Sequence, residues 1–340
     1  MFHRLKTLLA LILMLSLSGC VISPFRGTTT TGTTGTGQLY VVDETANAIL
    51  RFGGATAVSG NVAPSATISS TQLSAPKYIF LDTANNRLYV ANANAGNIVI
   101  FDNASTLNGS VVPTRVISSA NLVTPVDVAL DATNNLLYVA DNLEVAVFAG
   151  ASTINGTNPA VRVILPGFTP GAILLDSTND RLFVADPVSN AIDVFDGAST
   201  LNGSVTAPRI ITGSQTQLSQ PVGLRIDGAG RLIVSNFSPP SLTIYTNAAT
   251  TTGNILPAAV ISGSNTQLAG PAQLALDPTT NSGELYVADP FGANVAVFSS
   301  ISTVTGSLNP TPNRNLVGAN TTLSGTASAT ARGVALDTTR

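Results

Sequence analysis

A chain of 340 residues with 15 basic and 18 acidic side chains has a formal net charge of −3, and only 10% of it is charged. That balance excludes the basic surface on which nucleic-acid binding depends, while 29 glycines and abundant Ser, Thr and Asn suit a β protein with neutral polar loops. One histidine, His3, and one cysteine, Cys20, are its whole supply of imidazole and thiol.

The chain begins with Arg4 and Lys6, continues through an apolar run from Leu8 to Leu17, and reaches Leu17-Ser18-Gly19-Cys20. A cationic start, an apolar segment too short for a permanent span and small residues before a cysteine together resemble the bacterial lipoprotein signal. The resemblance implies a signal peptide over residues 1–19, cleavage before Cys20 and lipidation of the Cys20 thiol, which makes the membrane a partner through that anchor. A lone cysteine without a disulfide partner agrees with this role; the competing reading is an ordinary secretory signal with an incidental cysteine. Val21 stands where the family's inner-membrane retention signal has Asp, which implies the outer membrane and a place in the cell envelope, periplasmic or surface-exposed.

Loss of residues 1–19 leaves 13 basic and 18 acidic residues, a net charge of −5, and takes His3 with it. Without imidazole or free thiol, Ser-His-Asp and Cys-His catalysis and His- or Cys-liganded zinc or copper are excluded. Carboxylate chemistry and oxygen-liganded calcium remain, and no other cofactor is expected.

From Val21 to Gly37 the composition turns to Thr and Gly without apolar periodicity. Residues 20–37 read as the lipidated cysteine and a flexible tether with a reach of roughly 20–25 Å.

From Gln38 onward one short strand is written six times: Leu39 to Asp43, Leu88 to Asn92, Leu137 to Asp141, Leu182 to Asp186, Leu232 to Asn236 and Leu285 to Asp289. The terminal Asp or Asn recurs at spacings of 49, 49, 45, 50 and 53 residues, a period that marks a repeat array. Residues 177–227 show the unit best, with RLFVAD, AIDVF, RII and VGLRID as four strands separated by turn residues. Asn108-Gly109, Asn155-Gly156 and Asn202-Gly203 recur in the turn between the second and third of these segments. The Asn-x-Ser/Thr sequons at Asn103, Asn108, Asn155 and Asn202 read as turn chemistry for the same reason.

The frame is offset, opening on an LYVVD strand and closing on the VALD strand at Asp337. A ring resolves the offset, because the last strand completes the first blade and pairs both open edges. The expected fold is therefore all-β, a six-bladed β-propeller of four-stranded blades over residues 38–340, whereas an open solenoid would need polar capping repeats. The repeat LDxxNxRLYVADxxxNxIxVFD resembles the NHL-repeat propellers over about residues 38–337. That resemblance implies a binding platform more often than an enzyme; WD and kelch propellers fit poorly to a chain without tryptophan.

Each VGLRID-type strand ends in Asp: Asp82, Asp131, Asp176, Asp227, Asp277 and Asp337. These acids, with the Asp or Asn ending each LYVAD-type strand, read as turn caps rather than as rings of calcium ligands. The first and third residues before the terminal Asp are apolar in all six copies, as Leu81 and Ile79, and are expected to pack between blades. The alternate face departs from small or apolar residues at Tyr78, Asp127, Arg225 and Gln273, with Lys77 and Arg332 just before. Because these strands line a propeller's channel, those six are the candidate ligand-binding residues at its mouth, with no catalytic or metal-ligating residue assigned. The competing reading pairs Asp127 with Arg225. Amides at Gln72, Asn121, Gln215, Gln217, Asn265, Gln267 and Asn320 lie in the connections expected on the same face.

A monomeric, membrane-anchored, non-enzymatic binding or assembly platform is the leading functional expectation, its partner an envelope protein or a glycan. The alternatives are a glycan-binding adhesin and a divalent-cation-dependent lactonase or hydrolase like the gluconolactonase-type propellers, which implies a Glu among the axial ligands. After residue 19 the only glutamates are Glu44, Glu144 and Glu284, none on a VGLRID-type strand.

Overall fold

The computed structural model describes residues 35–277, 279, 283–323 and 330–340. The signal, Cys20 and most of the tether lie outside these residues. Six small sheets form six blades in a ring. In blade four the order from the axis outward is Ala172–Asp176, Arg181–Asp186, Ala191–Asp196 and Arg209–Ile211. We call these the inner, second, third and outer strands, and call upper the face on which the inner strands begin.

The terminal acids do their work in the tight turns that follow the inner strands. Asp82, Asp131 and Asp176 each accept a backbone N–H and a side-chain amide N–H from Asn85, Asn134 and Asn179. Asp227, Asp277 and Asp337 accept the N–H two residues on. At the upper face, Asp141 and Asp289 hold the incoming connection by accepting the N–H groups of Val123 and Thr124, and of Ala269 and Gly270. The recurring acids are thus caps. Among the described residues no group of three His, Cys, Asp or Glu side chains is placed to hold a metal ion.

The ring closes as the frame offset requires. Val334–Asp337 lies antiparallel to Gln38–Asp43, with Gln38 opposite Asp337 and Val41 opposite Val334. Each interface between blades is one apolar cluster: Leu39, Leu50 and Phe52 of blade one meet Tyr286, Val295 and Val297 of blade six, and Ile79 and Leu81 of blade two meet Tyr40 and Val42 of blade one. Burying one such large side chain stabilises by about 1.5–3 kcal/mol, so the ring is held mainly at these faces.

The segment that lengthens each repeat clasps the neighbouring blade. Gly109–Ser110, Gly156–Thr157, Gly203–Ser204 and Gly306–Leu308 each add a short parallel strand to the outer edge of the blade before them. Gly253 and Gly60 do the same with single bridges to Ile211 and Leu316. Every outer edge, otherwise open to strand addition, is thereby covered by the next blade, and Gly60 of blade one covers blade six.

Side chains lock the clasp. The Tyr138 hydroxyl donates to the Ala198 carbonyl at 3.1 Å, and Arg162 Nη1 donates to Ala198 and Leu201 carbonyls at 2.9 and 3.0 Å. Tyr89 and Arg115 grip Ala151 in the same way, and Tyr286 and Arg314 grip Ala55. Blades one and five depart from the pattern, with outer strands that begin at Ala66 and Ala259, and among the described residues Tyr40 Oη and Arg51 Nε of blade one are buried without a partner.

Candidate functional site

The inner strands place side chains in the channel in two tiers. The upper tier, four residues before the terminal Asp, is Tyr78, Asp127, Ala172, Gly223, Gln273 and Gly333; the lower tier, two residues before it, is Phe80, Ala129, Leu174, Arg225, Ala275 and Ala335.

The upper tier bonds to the backbone that surrounds it. Asp127 accepts the N–H of Val128 through Oδ1 at 2.9 Å and that of Ile173, in the next blade, through Oδ2 at 3.0 Å. Gln273 Oε1 accepts the N–H groups of Ile79 and Val334 at 3.1 and 2.9 Å, while its Nε2 donates to the Ile79 carbonyl at 2.8 Å. The Tyr78 hydroxyl crosses to donate to the Val222 carbonyl at 2.9 Å. The inner edge of each sheet lacks a partner strand, and these three side chains bond single backbone groups along it in blades one to five. Burial pushes the Asp127 carboxyl up to about 7, against the lowering pull of the Ile173 N–H, the Arg225 charge and the Val128 N–H.

Arg225 sits apart, in the lower tier. Among the described residues it forms no ion pair with Asp127, and its one hydrogen bond runs from Nη1 to the Leu224 carbonyl at 2.8 Å. Two cavities meet at it: one of about 120 Å³ within the lower channel, bordered by Phe80, Ala275 and Ala335, and one of about 460 Å³ on the lower face, bordered by Leu174, Asp176 and Asn247. The six candidate residues are therefore not one cluster. Lys77 and Arg332 stand at the upper rim, where both form ion pairs with Glu44, the latter at 3.5 Å. Glu44 reaches the rim from the turn after the second strand of blade one, a position that the inner-strand pattern does not show.

The amide-bearing connections lie at the upper face, with Gln72, Gln215, Gln217, Asn265, Gln267 and Asn320 exposed and Asn121 half-buried. The more informative feature there is apolar. In the turn between second and third strands, blades three, four and six carry Leu143, Val188 and Phe291 two residues after the strand-ending Asp, where blades one and two have Thr45 and Asn94, and blade five carries Phe237 one residue earlier. Leu143, Val188 and Phe291 are 57%, 82% and 51% exposed, and Phe237 meets Phe291 edge-on at 5.1 Å. A cavity of about 480 Å³ lies between Val188, Gln220 and Phe237. It shares Val222 and Phe237 with one of about 150 Å³ bordered by Tyr78 and Arg332. Comparing this turn across the six repeats would have revealed the arc from sequence.

Asp193 is a second departure missed in the sequence. It stands on the third strand of blade four where the other blades have Leu50, Val99, Ala146, Thr243 and Ala296. It is 8% exposed, and burial, then the Asp186 charge, pushes its carboxyl up to about 6. The connection before blade four is the shortest of the six, and Asp186 caps Val188 and Ser189 rather than that connection.

No family model matches the chain, and no curated protein matches it. Among solved structures it is similar to the crystal structure of a functionally unknown protein from Desulfotomaculum acetoxidans DSM 771, at a TM-score of 0.56 and 12% identity over 88% of this chain and 84% of that one. At that identity the likeness concerns the propeller fold alone.

Proposed function

We propose that this chain is a non-enzymatic binding platform of the bacterial cell envelope, held by a lipid on Cys20 and engaging a protein partner through its upper face. The observation that carries the reading is the apolar residue in the same turn of four successive blades, with Leu143, Val188 and Phe291 exposed, Phe237 half-buried against Phe291, and a cavity bordered by Val188 and Phe237. The neighbouring rim, with two cations on one carboxylate, supplies a polar border. The Thr36 N–H donates to Thr56 Oγ1 at 2.9 Å on the lower face of blade one.

The NHL-type kinship, the outer-membrane location and the monomeric state belong to this reading and are carried by the repeat pattern and the Leu17–Cys20 motif. The hydrolase reading has less support, because the axial carboxylate and amide of Asp127 and Gln273 are bonded to backbone and Glu44 is paired at the rim.

Crosslinking the tagged, lipidated chain in its native envelope, beside a Val188→Ser/Phe237→Ser version, tests the platform. A discrete protein captured by the native sequence and lost in the double variant is the expected result. Equal capture by both versions, or a turnover that survives the double variant, would overturn it. Labelled palmitate incorporation that disappears in Cys20→Ala tests the anchor separately.

A further inference from the structure

Among the described residues the lower channel holds a cation that forms no ion pair. Arg225 occupies a tier in which every other blade has Phe, Ala or Leu, so the fold does not ask for a charge there. Its guanidinium offers five N–H donors, yet among the described residues it makes one hydrogen bond, to its own neighbour's carbonyl, and no ion pair. Arg225 is half-buried, and its other donors are open to solvent within the channel. The residue lines both cavities, of about 120 and 460 Å³, that meet at it.

We infer that Arg225 is the base of a binding site for a small organic monocarboxylate that enters from the lower face. The chemistry favours one negative charge over two. Asp127 acts on the Arg225 charge from the same axis, and Asp176 borders the larger cavity, so a phosphate dianion would meet two acids for one cation. A carboxylate matches the planar fork of the guanidinium with two parallel hydrogen bonds. Leu174 and Ile226 give that cavity an apolar wall, which suits a short aliphatic tail, and about 460 Å³ is within the range of small-molecule pockets. The site lies on the face opposite the apolar arc, so its failure would leave the platform reading untouched.

Butyrate is the probe. The full chain purified in detergent would be titrated calorimetrically with butyrate, with chloride and inorganic phosphate at matched ionic strength as controls, beside Arg225→Leu, Arg225→Lys and Leu174→Trp. Leucine is what blade four carries at this position, so Arg225→Leu suits the fold, and Leu174→Trp keeps the cation while narrowing the cavity. Saturable binding of butyrate to the native sequence is expected, weakened at least tenfold in Arg225→Lys and Leu174→Trp and abolished in Arg225→Leu. The inference is overturned if the native chain gives no saturable butyrate signal. It is overturned equally if Arg225→Leu or Leu174→Trp binds as tightly as the native chain, or if phosphate binds more tightly than butyrate.

Discussion

Asp127 makes the stability of the ring depend on pH in the sense opposite to most carboxylates. Its carboxyl joins blade three to blade four through the N–H of Ile173, and burial raises it from 3.8 to about 7. A folded-state pKa above the unfolded one contributes stability that is full below about pH 4 and lost as pH rises through about 7. Roughly three pKa units at about 1.4 kcal/mol each make this loss about 4 kcal/mol. Asp127→Asn removes the titration but turns an amide N–H toward one of the two backbone donors, a mismatch that costs about 1–3 kcal/mol. Urea unfolding at pH 4.5 and pH 8 is the assay. The native sequence is expected to be the more stable form at pH 4.5, with its advantage shrinking by about 3 kcal/mol or reversing at pH 8. The difference between the two proteins isolates Asp127 from the other acids. If that difference is the same at both pH values, the carboxyl titrates normally and the reasoning fails.

Arg162→Met removes two bonds to the neighbouring clasp and one to the Tyr138 hydroxyl, and is expected to cost about 2–4 kcal/mol in urea unfolding. Arg51→Met in blade one, where Nε has no partner, is expected to cost less than about 1 kcal/mol in the same assay. Asp193→Leu removes an acid that burial raises to about 6; since such a group also loses stability as pH rises, the variant is expected to gain about 2 kcal/mol relative to the native chain between pH 4 and pH 8. Truncation after Arg332 deletes the strand paired with Gln38–Asp43, and limited proteolysis is expected to cut blade one first.

The period, the four-strand unit and the closing strand were legible because each is written several times, and repetition turns a weak local signal into a strong one. The clasp was not legible. Two residues such as Gly203 and Ser204 pairing in parallel with Ile164 and Leu165 leave no alternation to read, so Asn202-Gly203 showed only its turn chemistry. The channel residues were found as departures from the repeat, but a departure identifies a special position and not its task. Asp127 and Gln273 bond the unpaired inner edge, while Arg225, selected by the same rule, bonds almost nothing. Only the direction and distance of each side chain separates these cases. The apolar arc went unseen because the comparison across repeats was made on the strands and not on the turns.

With the repeated acids assigned to turns and the Tyr–Arg pairs to clasps, two surface features remain without a scaffold role beside the buried Asp193: the arc above and Arg225 below. Between them Tyr78, Asp127 and Gln273 join opposite and adjacent inner strands across the upper channel, so a ligand at one end has no direct route to the other. The one group in a position to connect them is Asp127, which bonds blade four from blade three and feels the Arg225 charge. An anion bound at Arg225 would cancel the charge that pulls the Asp127 pKa down. The carboxyl would then hold its proton to higher pH, and the bond it makes to blade four would change from that of a carboxylate to that of a neutral acid. Occupancy of the lower site therefore acts on the joint between blades three and four, and these are two of the four blades that carry the arc.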